Sequence, residues 1–178
     1  MTVDAGDGNP LRAYASEEPD GFDEFYRREF RPLLSLAWSL TGRRDVGEEL
    51  VQEAMLTVHR RWSTVRTYES PGGFARRVLL NDATSQARRR SSERRALGRL
   101  RIVDRTGPPA APPDEALWSA VRSLPKRQAQ AVALHYLEDR SVDDIAAVLD
   151  IAAGTVKVHL HRGRLALAEA LNAQEAER

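Results

Sequence analysis

Apolar positions recur every three to four residues through most of this chain, the period of helices buried on one face. Phe22, Phe25, Tyr26, Phe30, Leu33, Leu34, Ala37 and Trp38 form the first such stripe. Pro32 interrupts it, which predicts a kink or two consecutive helices. Thr41-Gly42 closes the element. Val46, Leu50, Val51, Ala54, Met55, Val58 and Trp62 form the second stripe. Asp45 is its predicted N-cap, with Glu48 three residues on. A loop is predicted over 63–70. Ser70 then caps a third helix with Pro71 at its first position. That helix buries Phe74, Val78, Leu79 and Ala83 and ends in Arg88-Arg89-Arg90.

The pattern resumes after a break. Leu117, Trp118, Val121 and Leu124 share one face, and Leu124-Pro125 ends it. Ala129, Val132, Ala133 and Tyr136 share the next. Ser141 is a good N-cap, and Asp144 stands three residues on in a capping-box-like arrangement. Val142, Ile145, Ala146 and Leu149 follow at helical spacing. Asp150 falls where a left-handed residue is wanted, a region Asp tolerates better than most. The last stripe is Val156, Leu160, Gly163, Leu167 and Leu171. Two amphipathic helices joined by a tight turn, the second bearing Lys157, His159, Arg162 and Arg164, read as a helix-turn-helix that sets one helix in the DNA major groove.

The stretch between the halves has a different composition. Arg99 to Pro113 includes Gly107-Pro108-Pro109-Ala110-Ala111-Pro112-Pro113, an extended, flexible linker. The expected fold class is all-α: two small helical domains, each near the lower size limit for an independent core. Residues 1–20 read as a disordered tail, 21–98 as the first domain, 99–113 as the linker, 114–173 as the second domain and 174–178 as a tail.

With no Cys among 178 residues, disulfides, thiolate catalysis and Cys-ligated zinc are excluded. His59, His135, His159 and His161 have no helical spacing with carboxylates that would make a metal site, so no metal or other cofactor is expected. No paired-carboxylate or His constellation suits acid–base work, so no enzyme is expected. No apolar run reaches membrane-spanning length, and the first twenty residues are polar and acidic, unlike a signal peptide. A cytoplasmic protein is the expectation.

Charge adds a local signal. The net charge is +1, yet from Arg76 to Arg105 ten Arg face three acids, a candidate nucleic-acid surface. Arg76, Arg77, Asn81 and Arg88 lie beside Tyr68 and Phe74. Arg holds phosphate and aromatics stack on bases, so this group suits melted DNA. Asp45, Glu48, Glu49, Gln52 and Glu53 crowd the polar face of the second helix, where like charges repel until a basic partner arrives.

Taken in order, these segments resemble a bacterial RNA polymerase sigma factor of the extracytoplasmic-function (ECF) class. The resemblance covers about residues 22–173. Asp45-Val46-Gly47-Glu48-Glu49-Leu50-Val51-Gln52-Glu53-Ala54 is similar to the family's core-polymerase-binding segment. Residues Pro71 to Ala83 resemble its −10 recognition helix. Leu124-Pro125-Lys126-Arg127-Gln128 and Gly154-Thr155-Val156-Lys157 through Arg162-Gly163-Arg164 resemble its −35-binding region.

The resemblance implies a transcription-initiation factor that binds core RNA polymerase, reads a two-part promoter and helps to melt it. Its implied contacts are Asp45, Glu48, Glu49, Gln52 and Glu53 for polymerase. For the −10 element they are Tyr68, Phe74, Arg76, Arg77, Asn81 and Arg88, and for the −35 element Thr155, Lys157, His159, Arg162 and Arg164. It further implies the β′ coiled coil and the β flap as docking partners. An anti-sigma factor is a family-level expectation with no residue of this chain behind it. The alternative is a helix-turn-helix regulator acting without being a polymerase subunit. The chain departs from the family at Asp150, where Gly is common, and at Ala152, where Ser is common. Val158 and His159 stand where Ser and Arg are frequent, and Phe74 where Trp is common.

Overall fold

A computed structural model of the chain describes residues 21–81 and 114–176, with side chains as far as 173. The predicted N-terminal tail, the linker 99–113, Ala83 and Arg88 lie outside the described residues, whereas α8 runs on through 174–176 of the predicted C-terminal tail. Eight helices are described: α1 (Phe22–Thr41), α2 (Arg44–Arg60), α3 (Trp62–Val65), α4 (71–81), α5 (Glu115–Ser123), α6 (Lys126–Tyr136), α7 (Val142–Leu149) and α8 (Ala153–Ala176). No strand occurs among the described residues, in keeping with an all-α class.

α1 runs through Pro32 as one helix, so two consecutive helices do not occur there. A proline inside a helix costs roughly 3 kcal/mol. Phe25, Leu33, Leu36 and Ala37 are all buried on the face toward α2. Burial of a large apolar side chain contributes about 1.5–3 kcal/mol, so packing outweighs the lost hydrogen bond. Gly42, at φ 69°, ends the helix and donates its N–H to the Trp38 carbonyl.

Two predicted boundaries move. α2 begins at Arg44, and the residue before it is Arg43, without a side-chain cap. Asp45 is therefore not the N-cap; it lies inside the first turn and accepts from Arg43 Nε at 3.1 Å. The left-handed turn at Gly42 and the Thr41 hydroxyl, which accepts from the Arg43 N–H at 3.3 Å, start the helix early. The predicted loop over 63–70 is partly wound into α3. Val65 is fully buried, and Trp62 packs its ring 4.9 Å from Phe25 and 5.5 Å from Phe22. These contacts hold a turn that sequence spacing does not signal. α4 starts as expected: Ser70 Oγ accepts from the Gly73 N–H at 3.1 Å.

The second half builds around α6. Ala129 through Leu134 are buried without a break, whereas Tyr136, expected in the core, is 55% exposed. Gln130 is the one polar residue in that run. α6 meets α5, α7 and α8 of its own half and α1 of the first half. Gly163 lets α8 approach α6, and Leu160, Leu167 and Val156 are buried nearby. α5 also packs on α1 and α8. The buried apolar side chains of both halves form one continuous cluster. Polar groups cross as well: Gln130 Nε2 donates to the Leu80 carbonyl at 3.4 Å, and Arg122 Nη1 to the Ser39 carbonyl at 3.3 Å.

Candidate polymerase and nucleic-acid surfaces

The helix-turn-helix is built as its sequence dictates. Ser141 Oγ accepts from the Asp144 N–H at 3.1 Å, and the Asp144 carboxylate accepts from the Ser141 N–H at 3.2 Å, a complete capping box. Hydrogen bonding to Ser141 holds the Asp144 carboxyl below its ordinary value. Asp150 takes the left-handed conformation at φ 56° that ends α7. α8 then opens at Ala153 with Ala152 before it, so no side chain caps the recognition helix; only the Ala152 carbonyl accepts, from Thr155 and Val156.

Val156, Leu160, Gly163 and Leu167 fix which way α8 faces. Thr155, Lys157, Arg162 and Arg164 are exposed, as a DNA-reading face requires. His159 is different. It lies beside the Val156–Leu160 stripe, its ring is half-buried, and its Nδ1 is enclosed without a hydrogen-bond partner. Its placement with the outward cations is corrected: position 159 borders the core face, as its distance of three from Val156 and four from Gly163 dictates.

On α2, Asp45, Glu49, Gln52 and Glu53 are exposed and Glu48 half-buried, off the stripe of Val46, Leu50, Val51 and Ala54. Their mutual repulsion is partly relieved from within the chain. Arg43 bonds Asp45, lowering its carboxyl below the ordinary value, and Arg44 Nε reaches Glu48 at 2.8 Å.

The Arg and aromatic group near α4 is brought together, but not as a free surface. Tyr68 and Phe74 rings meet edge to face at 5.5 Å, with Arg61 over Phe74. Asn81 is exposed. Arg76, expected on the DNA side, is 2% exposed. Its Nη1 donates to Glu29 Oε2 at 2.7 Å, and its Nε and Nη2 form a fork on Glu138 at 2.6 and 2.8 Å. Burial opposes the Arg76 charge, yet Glu138 and Glu29 more than offset it and hold the proton tighter than usual. Burial likewise pushes the Glu29 carboxyl up, but bonds from Arg76 and Arg28 bring it below its ordinary value. Arg77 donates to the Ala147 carbonyl on α7. Tyr68, Phe74 and Arg77 thus line a cleft of about 170 Å³ whose far wall is Arg140, Asp144, Ala147 and Val148. Glu29 and Glu138 escaped the sequence reading because they join α4 from 47 and 62 residues away.

The chain matches two family models in this same order. Sigma-70 region 2 matches residues 25–93, and Sigma-70 region 4 matches residues 114–167. The RNA polymerase sigma-E factor of Streptomyces antibioticus is 30% identical over 160 residues, spanning 88% of this chain and 87% of that protein. The chain belongs to the ECF class of RNA polymerase sigma factors. The sigma-E factor of Streptomyces coelicolor is 29% identical over 165 residues, covering 88% of this chain and 89% of its own length. Among solved structures, the sigma factor RpoE of Bartonella quintana, in complex with the anti-sigma factor NepR, has the same fold. Its TM-score is 0.72 at 24% identity, covering 85% of this chain and 96% of that one. A sigma factor's function, rather than that of a stand-alone helix-turn-helix regulator, accounts for both halves, because the region 2 match spans α2 and α4. No described helix of this sigma factor is long and apolar enough to cross a membrane.

Proposed function

We propose that this sigma factor divides promoter recognition between its halves. The α2 face of Asp45, Glu48, Glu49, Gln52 and Glu53 docks on a basic surface of core polymerase, the β′ coiled coil by family resemblance, with the second half on the β flap. α8 enters the −35 major groove with Lys157, Arg162 and Arg164, and Thr155 contacts its edge. α4 and the loop before it hold melted −10 DNA through Tyr68, Phe74, Arg77 and Asn81. Arg76 and Arg88 are the further −10 contacts that the family resemblance implies. The chain itself contributes no bond-making chemistry; polymerase does. It acts in the cytoplasm, where polymerase meets the chromosome. A partner of the anti-sigma class, such as the one RpoE binds, is part of the reading with no residue assigned.

The observation that carries this reading is the coexistence, on one chain, of an acidic exposed face on α2 and a cationic exposed face on a capped helix-turn-helix. Opposite charges face opposite partners: acids suit a basic protein, cations suit phosphate and guanine edges. Co-elution of the purified chain with core polymerase tests it. Stable binding that moves polymerase onto promoter DNA is expected; a chain that binds duplex DNA at nanomolar affinity alone and ignores core polymerase overturns it.

A further inference from the structure

Each residue advances a helix by about 100°. On α8, Val156, Leu160, Gly163 and Leu167 therefore share a sector about 60° wide, and all four are buried. Val158 lies roughly 170° from the middle of that sector, on the line that faces straight away from the core. It is 45% exposed. Thr155 and Lys157 stand on its two flanks and Arg162 lies one turn on, all three exposed. The outermost side chain in the first turns of α8 is thus aliphatic and set among cations and a hydroxyl. We propose that Val158 is a specificity-determining residue that reads a thymine of the −35 element through its C5-methyl group. The inference rests on the placement of α8 in the −35 major groove.

A helix in that groove turns its flanks to the phosphate walls and its outermost line to the base edges. Val158 is short, stiff at χ1 and carries no side-chain donor or acceptor. Of the groups on the major-groove edge, only the thymine methyl offers it an apolar contact. Against guanine, adenine or cytosine the same isopropyl group shuts water away from polar edge atoms and returns no hydrogen bond. Val158 therefore favours thymine by contact and disfavours the other bases by leaving their edges unpaired. Position along the helix narrows the choice further. The groove is about 12 Å wide and each residue rises about 1.5 Å, so about eight residues span it. Counted from Ala153, where α8 begins, these end at Leu160. Val158 lies inside this stretch, and Arg162 reaches back into it because helical side chains tilt toward the N-terminus. Leu165 is 54% exposed on the same outward line. It lies about 10 Å beyond Val158, outside the groove, and serves as an internal control.

The test uses holoenzyme assembled from core polymerase and this chain, which selects duplexes from a pool randomised upstream of the start region. Each thymine of the enriched −35 motif is then replaced by uracil, which keeps the hydrogen-bonding edge and lacks only the methyl. At one position uracil should weaken binding by the parent holoenzyme about fourfold, the worth of one buried methyl-sized group. V158A should lose that sensitivity and relax base preference at the same position. It should keep the parent's salt slope, because a tilted helix would forfeit phosphate contacts whereas a lost methyl contact does not. Ala is the better helix former, so V158A should fold. L165A should match the parent throughout. A motif in which no thymine responds to uracil, or a response equal in V158A and parent, overturns the inference. If V158A and L165A both weaken co-elution with core polymerase and leave the uracil response intact, the outward line is a protein-docking surface and the inference falls. The double variant K157A/R162A reports separately on the placement of α8. If it leaves the −35 preference unchanged, that placement and the inference fall together. If it weakens −35 reading while V158A changes nothing, the placement stands and the role of Val158 does not.

Discussion

A Cβ on Gly163 of α8 would come within 2.8 Å of Val132 Cγ2 on α6. The two helices touch where one has no side chain, in the middle of the core that sets the angle of the DNA-reading helix. Gly163→Ala should therefore lower stability by about 1–3 kcal/mol, the usual cost of overpacking. Helix propensity alone would raise it. Thermal unfolding should show a lower midpoint, partly restored in the double variant with Val132→Ala. A midpoint at or above that of the natural protein would mean that α8 can move aside freely.

The capping box gives a second test. Ser141→Ala should destabilise the second half by about 1 kcal/mol and speed hydrogen exchange at the Asp144 amide. The pH dependence has a definite sign. The Asp144 carboxyl titrates below its ordinary 3.8 when folded, so its contribution is present above that value and fades as pH falls through the depressed folded value. Equal exchange in variant and parent at neutral pH would show that the cap does not hold α7.

Charge reversal at Glu49 and Glu53 to Lys should weaken binding to core polymerase while leaving helical content unchanged. Both side chains are exposed and lie off the buried stripe of α2. Competition with a second sigma factor for core polymerase measures it. Undiminished competition would remove α2 as the docking face.

Promoter opening separates the two DNA surfaces. Arg162→Ala or Lys157→Ala should lower affinity through the −35 duplex, and loss of one phosphate contact should reduce the salt slope by about one unit. Arg77→Ala or Asn81→Ala should instead impair −10 recognition or opening. A pre-melted template should rescue opening defects in the second set and leave the first impaired. Rescue of both sets alike, or of neither, contradicts the division.

The legible parts of the fold were those that spacing and local chemistry fix. Ser141, Asp144 and Asp150 define α7 through bonds within a few residues, and each does in the structure what its side chain dictates. The Val156, Leu160, Gly163 and Leu167 stripe likewise orients Arg162 and Lys157 outward. Other features lie in tertiary packing. The buried run Ala129–Leu134 is surrounded because a second half exists for it to meet, so its one-sided reading misplaced Tyr136. Pro32 survives inside α1 because α2 supports its apolar face. Arg76 reads as a DNA contact from its neighbours, while its carboxylate partners lie 47 and 62 residues away, beyond any local pattern.

The central claim is that this chain gives core polymerase promoter specificity. Transcription of its source genomic DNA by core polymerase, with and without the purified chain, followed by mapping of RNA 5′ ends, tests it most directly. The account predicts a new set of start sites that share a two-part upstream motif at constant spacing and vanish with Glu49→Lys/Glu53→Lys. Start sites indistinguishable from those of core polymerase alone would contradict it.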